Sequence, residues 1–195
     1  MPVALIQDFP DGTLEQYDRV VERMQLGGEL PEGAIFHAAG EHEGGLRVVD
    51  VWESDEAFDA FAQSQIGPHT AAENMAEPKI TRFPVHRTRD ERESAGEITF
   101  LQVVRLPGLD TEAFDAADEQ VVPGNVSPEG LVFHISGRDG DDFVVADVWT
   151  TKEARDAFLE SNIRPVMEQT EFASPPSFAD IDVHNTLQPR AGAEA

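Results

Sequence analysis

Two histidines stand in the same setting twice. Gly33 to Gly40 reads GAIFHAAG and Gly130 to Gly137 reads GLVFHISG, so His37 and His134 share the pattern Gly-x-x-Phe-His-x-x-Gly. Imidazole is the side chain best suited to moving a proton near neutral pH. Each copy also supplies a carboxylate thirteen residues on, Asp50 in VVDVW and Asp147 in VADVW. A carboxylate beside an imidazole fixes its tautomer and raises its pKa, as a general base requires. Whether the two can meet depends on how the intervening hairpin pairs. By strand parity His37 shares a face with Ile35 and Ala39, and Asp50 shares one with Trp52. An odd-sum register makes His37 and Asp50 neighbours across the strands, and an even-sum register separates them. The same residue types also suit a buried hydrogen bond that satisfies two polar groups and does no chemistry.

Other candidates are fewer. Trp52 and Trp149 are the only tryptophans, one after each Asp-Val step. Each is expected either to plug the core beneath the next helix or to line a cleft where a flat aromatic ligand would stack. Tyr17 is the sole tyrosine, and Phe114 replaces it in the second copy, so a phenol in one half only would make two clefts unequal. His86 and His184 end the last strand of each copy, where closing the two copies together would bring His184 toward His37 and His86 toward His134. Two histidines could bind a metal or a haem iron, but no carboxylate sits at a familiar ligand spacing such as H-E-x-x-H, and no metal site is assigned. His42 and His69 have no counterparts in the repeat and read as surface residues. No glycine-rich phosphate loop or nucleophile elbow appears.

Composition excludes several classes. The 195 residues carry 38 acidic against 14 basic side chains, a formal charge of −24. Such a polyanion is repelled by phosphate backbones and anionic lipid, so neither nucleic acid nor a membrane surface is an expected partner. The absence of cysteine removes disulfides, thiolate metal sites and cysteine nucleophiles together. The start, MPVALIQDFPDG, lacks the basic and apolar regions of a signal peptide, and no run approaches the roughly 20 apolar residues of a membrane span. A cytoplasmic location is expected.

The histidine motif is one part of a longer duplication. At an offset of ninety-seven residues, sixteen positions between Gly33 and Pro68 meet an identical residue, among them Gly33, Phe36, His37, Asp50, Trp52, Phe61 and Pro68. Each copy reads β-α-β-β-α-β. In the first, VALIQDF (residues 3–9) suits a strand, and Asp11-Gly12-Thr13 starts a helix whose apolar residues recur at helical spacing. Residues 34–39 and 46–52 form a hairpin. Ser54 caps a second helix that Pro68 is expected to break, and residues 79–86 make the last strand. The second copy repeats this with strands 98–106, 131–136, 143–149 and 177–184 and helices 111–121 and 151–163. Residues 1–87 are therefore expected as one unit, 88–97 as a charged linker, 98–187 as the second unit and 188–195 as a flexible tail.

A four-stranded sheet with helices on one face leaves the other face bare, and the strands of the second copy are apolar on both faces. The expected fold class is α+β: two tandem ferredoxin-like βαββαβ units packed sheet to sheet as an intramolecular dimeric α/β barrel, a pseudo-dimer open to further oligomerisation. The run VVDVWESDEAFDAFAQSQIGP, with ADVWTTKEARDAF in the second copy, resembles the dimeric α/β barrel superfamily, in its antibiotic biosynthesis monooxygenase-like branch. That resemblance implies a small-molecule-binding protein similar to cofactor-independent monooxygenases acting on aromatic or enolisable substrates, with no cofactor. His37 or His134 would be the base, oriented by Asp50 or Asp147, with Trp52, Trp149, Tyr17, His86 and His184 around the substrate. The helix position that is often histidine in oxygenase-like relatives is Phe61 and Phe158 here. The alternatives are a non-catalytic binding or assembly module of the same fold, in which the repeated residues only hold the barrel together, or a haem-binding protein.

Overall fold

The computed structural model describes residues 1–189, so most of the expected tail, residues 190–195, lies outside the described residues. The chain divides into two compact units. Unit 1 is Met1–Pro84 together with the segment from Asp182 onward, and unit 2 is Val85–Ile181.

Unit 1 contains β1 (Val3–Phe9), α1 (Leu14–Met24), β2 (Ala34–His42), β3 (Gly45–Trp52), α2 (Asp55–Phe61), α3 (Gly67–Ala72) and β4 (Lys79–Pro84). Its strands follow the order β4-β1-β3-β2, all antiparallel neighbours. Thr13 caps α1 as expected, its hydroxyl accepting from the Gln16 amide while the Gln16 side chain bonds back to the Thr13 amide. Ser54 caps α2 through the Ala57 amide.

Unit 2 repeats the pattern with β6 (Phe100–Leu106), α4 (Thr111–Val121), β7 (Leu131–Asp139), β8 (Asp142–Trp149), α5 (Lys152–Phe158) and α6 (Arg164–Met167). Two further strands depart from the expected boundaries. The expected linker contains β5 (Arg87–Asp90), which pairs with β7, and β9 (Ser177–Thr186) changes unit at Asp182. The second half of β9 pairs with β2, so each unit is completed by residues that follow the other unit's fourth strand. Gln188, placed in the expected tail, is held by backbone hydrogen bonds to Gly28 and Leu30.

β5 escapes an apolar-pattern reading for a clear reason. Its inward residue is Arg89, 5% exposed, and its charge is met by Asp118 on α4 rather than by the absence of charge. Arg87 bonds both Asp115 and Asp118 of the same helix. Breaking a buried ion pair strands the remaining charge. Asp118→Ala is therefore expected to lower unfolding free energy by about 3–5 kcal/mol, read from the shift of a urea denaturation curve.

Pro68 does not end its helix. The chain makes a π-turn over Ala62–Ile66 and continues through Gly67–Ala72, and unit 2 does the same over Leu159–Ile163 before Pro165. The extra residue of a π-turn shifts the hydrogen-bond pattern, accommodating a ring that cannot donate and would clash with the preceding turn.

The repeated first glycine is architectural. Gly33 and Gly130 have φ of +81° and +83°, and a Cβ at either would lie 2.9 or 2.6 Å from the Cβ of Ala57 or Ala154. Only glycine permits both that conformation and the close approach of the helix. One residue later comes a β-bulge, between Ala34 and Phe36 in one unit and Leu131 and Phe133 in the other. The bulge changes the simple parity: Ala34, rather than Ile35, shares the cavity face with His37.

Candidate functional site

The register is odd-sum in both hairpins. His37 stands directly opposite Asp50, and His134 opposite Asp147. The imidazole Nδ1 lies 2.7 Å from Asp50 Oδ1 in unit 1 and 2.6 Å from Asp147 Oδ1 in unit 2. A carboxylate can only accept, so each Nδ1 carries a proton, and in the neutral ring each Nε2 presents its lone pair. What happens at Nε2 separates the two units.

In unit 1 the lone pair is already taken. The Tyr17 hydroxyl lies 2.6 Å from His37 Nε2, with its ring stacked on the imidazole at 9°. The Tyr17 oxygen accepts in turn from Asn185 Nδ2 at 2.8 Å, and Gln7 Nε2 donates to Asp50 Oδ2 at 2.6 Å. The result is a continuous chain, Gln7–Asp50–His37–Tyr17–Asn185. Burial pushes the Tyr17 hydroxyl pKa well above its ordinary 10.0, because the phenolate would be poorly solvated and would face Asp50 and Asp18. A group whose folded-state pKa is raised adds stability that is complete below the unfolded-state pKa and is lost as pH rises through the folded-state value. Tyr17 is the only tyrosine. Tyrosinate absorbance is therefore expected to stay absent well above pH 10 in the folded protein, and to appear together with unfolding.

In unit 2 Phe114 stands where Tyr17 does, and no hydroxyl is there to donate. Its ring stacks on Phe143 at 4.1 Å. His134 is 5% exposed, and its Nε2 has no hydrogen-bond partner among the described residues. The Nε1–H of Trp149, itself 1% exposed, also has none. Both residues line a cavity of about 110 Å³ whose walls are mostly apolar, including Val104, Leu109, Phe114, Phe158 and Met167. Leaving a buried polar group unpaired costs about 1–3 kcal/mol. Here one bare acceptor and one bare donor belong to side chains lining the same cavity, an arrangement complementary to a ligand with a hydroxyl and a second acceptor atom.

Charged groups at the cavity are internally matched. Arg89 donates from Nε to Asn125 and from Nη2 to Asp118, while Arg155 grips Asp180 with both terminal nitrogens at 2.6 and 2.7 Å. Gln102, directly opposite Asp147, turns instead to Asp180 at 2.7 Å. Asp147 therefore has His134 as its side-chain partner. Haem suits this cavity poorly, since its propionates would need free cations and both arginines are committed to aspartates.

The remaining candidates fall elsewhere. His184 Nε2 meets Asp18 at 2.7 Å and His86 Nε2 meets Asp115 at 2.8 Å, equivalent partly exposed pairs against the first helix of each unit. His184 also approaches the Tyr17 ring edge-on at 6.0 Å. The described residues contain no group of three or more His, Asp or Glu side chains gathered to hold a metal. His42, expected at the surface, is half-buried, and burial together with Arg47 lowers its pKa. No helix among the described residues is long and apolar enough to cross a membrane.

Comparison with known proteins bears on the fold. No protein-family model matches the sequence, and no curated protein matches it. Among solved structures, a "putative monooxygenase" of Fusobacterium nucleatum matches with a TM-score of 0.76 and 15% identity, over 96% of this chain and 94% of that one. Another of the same description, from Lactobacillus acidophilus, gives 0.74 at 14% identity over 96% of each chain. An anthrone oxidase-like protein gives 0.53 at 14% identity, covering 95% of this chain and 92% of its own. At these identities the likeness bears on the fold alone, and the chain shares the α+β fold of these structures.

In the second helix of each unit, Phe61 and Phe158 serve as packing. They lie 5.3 and 5.5 Å from the rings of Trp52 and Trp149, closing each cavity beside the tryptophan. Sequence reasoning missed Gln7, Asn185, Arg89, Asp118, Gln102 and Arg155. One signal was readable: the alternating Arg87 and Arg89 match Asp115 and Asp118, spaced one helical turn apart on α4.

Proposed function

We propose that unit 2 binds a small, largely apolar aromatic or enolisable molecule and that His134 is its general base. The observation that carries this reading is the bare Nε2 of His134, buried in an apolar cavity with Asp147 on the opposite nitrogen. A hydroxyl donating to that lone pair would give up its proton to Nε2, and Asp147 would stabilise the imidazolium so formed. Trp149 Nε1–H would meet a second oxygen of the substrate. An electron-rich phenolate or enolate formed in this way can donate electrons to dioxygen, the chemistry suggested by the monooxygenase descriptions of the similar structures.

Unit 1 supports a second reading. There the same His–Asp pair is fully saturated by Tyr17 and Gln7, so the pair can serve structure alone, as in a binding or assembly module. Dioxygen uptake with a panel of polycyclic phenols and enolisable ketones separates the two. Uptake by the wild-type chain that His134→Gln abolishes and His37→Gln preserves is the catalytic result. Saturable binding without uptake across the panel is the result for a binding module.

A further inference from the structure

The two units treat the aspartate of the His–Asp pair differently. In unit 1 Leu5 stands directly opposite Asp50, and Gln7, two residues along the same strand, reaches across to donate to Asp50 Oδ2 at 2.6 Å. In unit 2 the glutamine and the aliphatic residue change places. Gln102, equivalent to Leu5, stands directly opposite Asp147, and Val104, equivalent to Gln7, has no amide to donate. Directly opposed residues of an antiparallel pair lie closer than diagonal ones, so Gln102 is better placed than Gln7 to reach the carboxylate. It does not do so. Its Nε2 donates to Asp180 Oδ1 at 2.7 Å, and Asp147 keeps His134 as its sole side-chain hydrogen-bond partner among the described residues. Asp180 is itself fixed. Arg155, 4% exposed, donates to its two carboxylate oxygens at 2.6 and 2.7 Å, and the guanidinium lies 4.6 Å from the centre of the Phe100 ring.

We propose that Asp180 is a positioning residue of the unit 2 site: by holding the Gln102 amide it keeps that amide off Asp147, so that the carboxylate directs its charge at His134 Nδ1–H alone. Two carboxylates stand within reach of one amide, and the one gripped by a guanidinium through two charge-assisted bonds is fixed in place to receive it. An amide donating to Asp147 would draw on the charge that now serves His134. It would also set the positive end of its dipole near the imidazolium that forms when Nε2 takes a proton. Unit 1 shows that arrangement, with Gln7 on Asp50. For turnover, the role of Asp180 rests on the reading of His134 as the base of unit 2; the hydrogen-bond arrangement does not.

The His134 Nδ1–H proton reports on this directly, in the full chain labelled with ¹⁵N-histidine and with no ligand added. A buried imidazole proton shared with a carboxylate resonates far downfield, and further downfield the stronger its hydrogen bond. His134→Gln identifies the resonance against that of His37. Asp180→Ala is expected to move it upfield by about 0.5 ppm or more as Gln102 turns to Asp147. Adding Gln102→Leu is expected to bring it back to within about 0.2 ppm of its wild-type position. Leucine is the residue that unit 1 carries at the equivalent place, and Arg155 keeps Asp156 and the Phe100 ring when Asp180 is truncated. Val104→Gln leaves Asp180 untouched, copies Gln7 of unit 1, and is expected to give the same upfield shift; it serves as the test where Asp180→Ala does not fold. A resonance unmoved in Asp180→Ala overturns the proposal. So does a shift that Gln102→Leu fails to reverse, because the freed Arg155 would then be the group acting on Asp147. A resonance unmoved in Val104→Gln overturns it as well, since an amide on Asp147 would then leave the histidine unaffected. With a hydroxylated substrate, Asp180→Ala is expected to lower kcat about three- to tenfold with KM little changed. Resonances that behave as expected beside an absence of turnover in the wild-type chain count against His134 as a base and leave the role of Asp180 standing.

Discussion

A His134→Gln protein is expected to lose about 100-fold or more in kcat/KM toward a hydroxylated substrate of unit 2, the usual range for removing a positioned general base. Glutamine can still donate an amide proton toward Asp147, so the carboxylate is not abandoned in the core, but nothing basic then faces the cavity. The accompanying loss of stability is small, about 1 kcal/mol, or roughly 2–4 °C in Tm for a chain of this size. Steady-state kinetics together with a thermal melt check both halves. A structural histidine shows the reverse pattern, a large fall in Tm with binding intact in the protein that remains folded. The same substitution at His37 leaves turnover in place, because its Nε2 is already occupied by Tyr17.

Phe114→Tyr is expected to move stability and function in opposite directions. Unit 1 shows the geometry that the variant would copy: a tyrosine at the equivalent position reaches the histidine at 2.6 Å. In unit 2 the new hydroxyl would donate to the bare Nε2 of His134. Supplying a partner to a buried acceptor stabilises by about 0.5–1.5 kcal/mol. The same bond fills the place a ligand hydroxyl needs, so affinity for phenols falls tenfold or more. Denaturant midpoints and ligand titrations give the two numbers. A variant that binds phenols as tightly as the wild type would show that Nε2 is not where they dock.

The duplication was readable in the sequence because it is written in residue types that tolerate few substitutes. Gly33 and Gly130 need a positive φ and a bare Cα, and Trp52 and Trp149 fill the same corner twice. Hydrophobic spacing then placed the strands and helices, and the His–Asp pairs could be named as candidates. The boundaries between units were not readable. β5 carries arginines at its inward positions, and an apolar pattern cannot report a strand whose core partners are aspartates on a helix. β9 is one uninterrupted strand, and nothing local marks Asp182 as the point where it changes unit.

By itself, then, the sequence determined two copies of a βαββαβ unit, a histidine and an aspartate in each hairpin, and one tyrosine present in only one copy. The tertiary structure decided what those residues can do. A bulge after each glycine and an odd-sum register bring histidine and aspartate together. A residue twenty positions away then determines whether the far nitrogen is occupied by Tyr17 or bare beside Phe114. Hydrogen-bond saturation depends on atoms brought together from distant parts of the chain, and a linear pattern of residue types holds no record of those meetings.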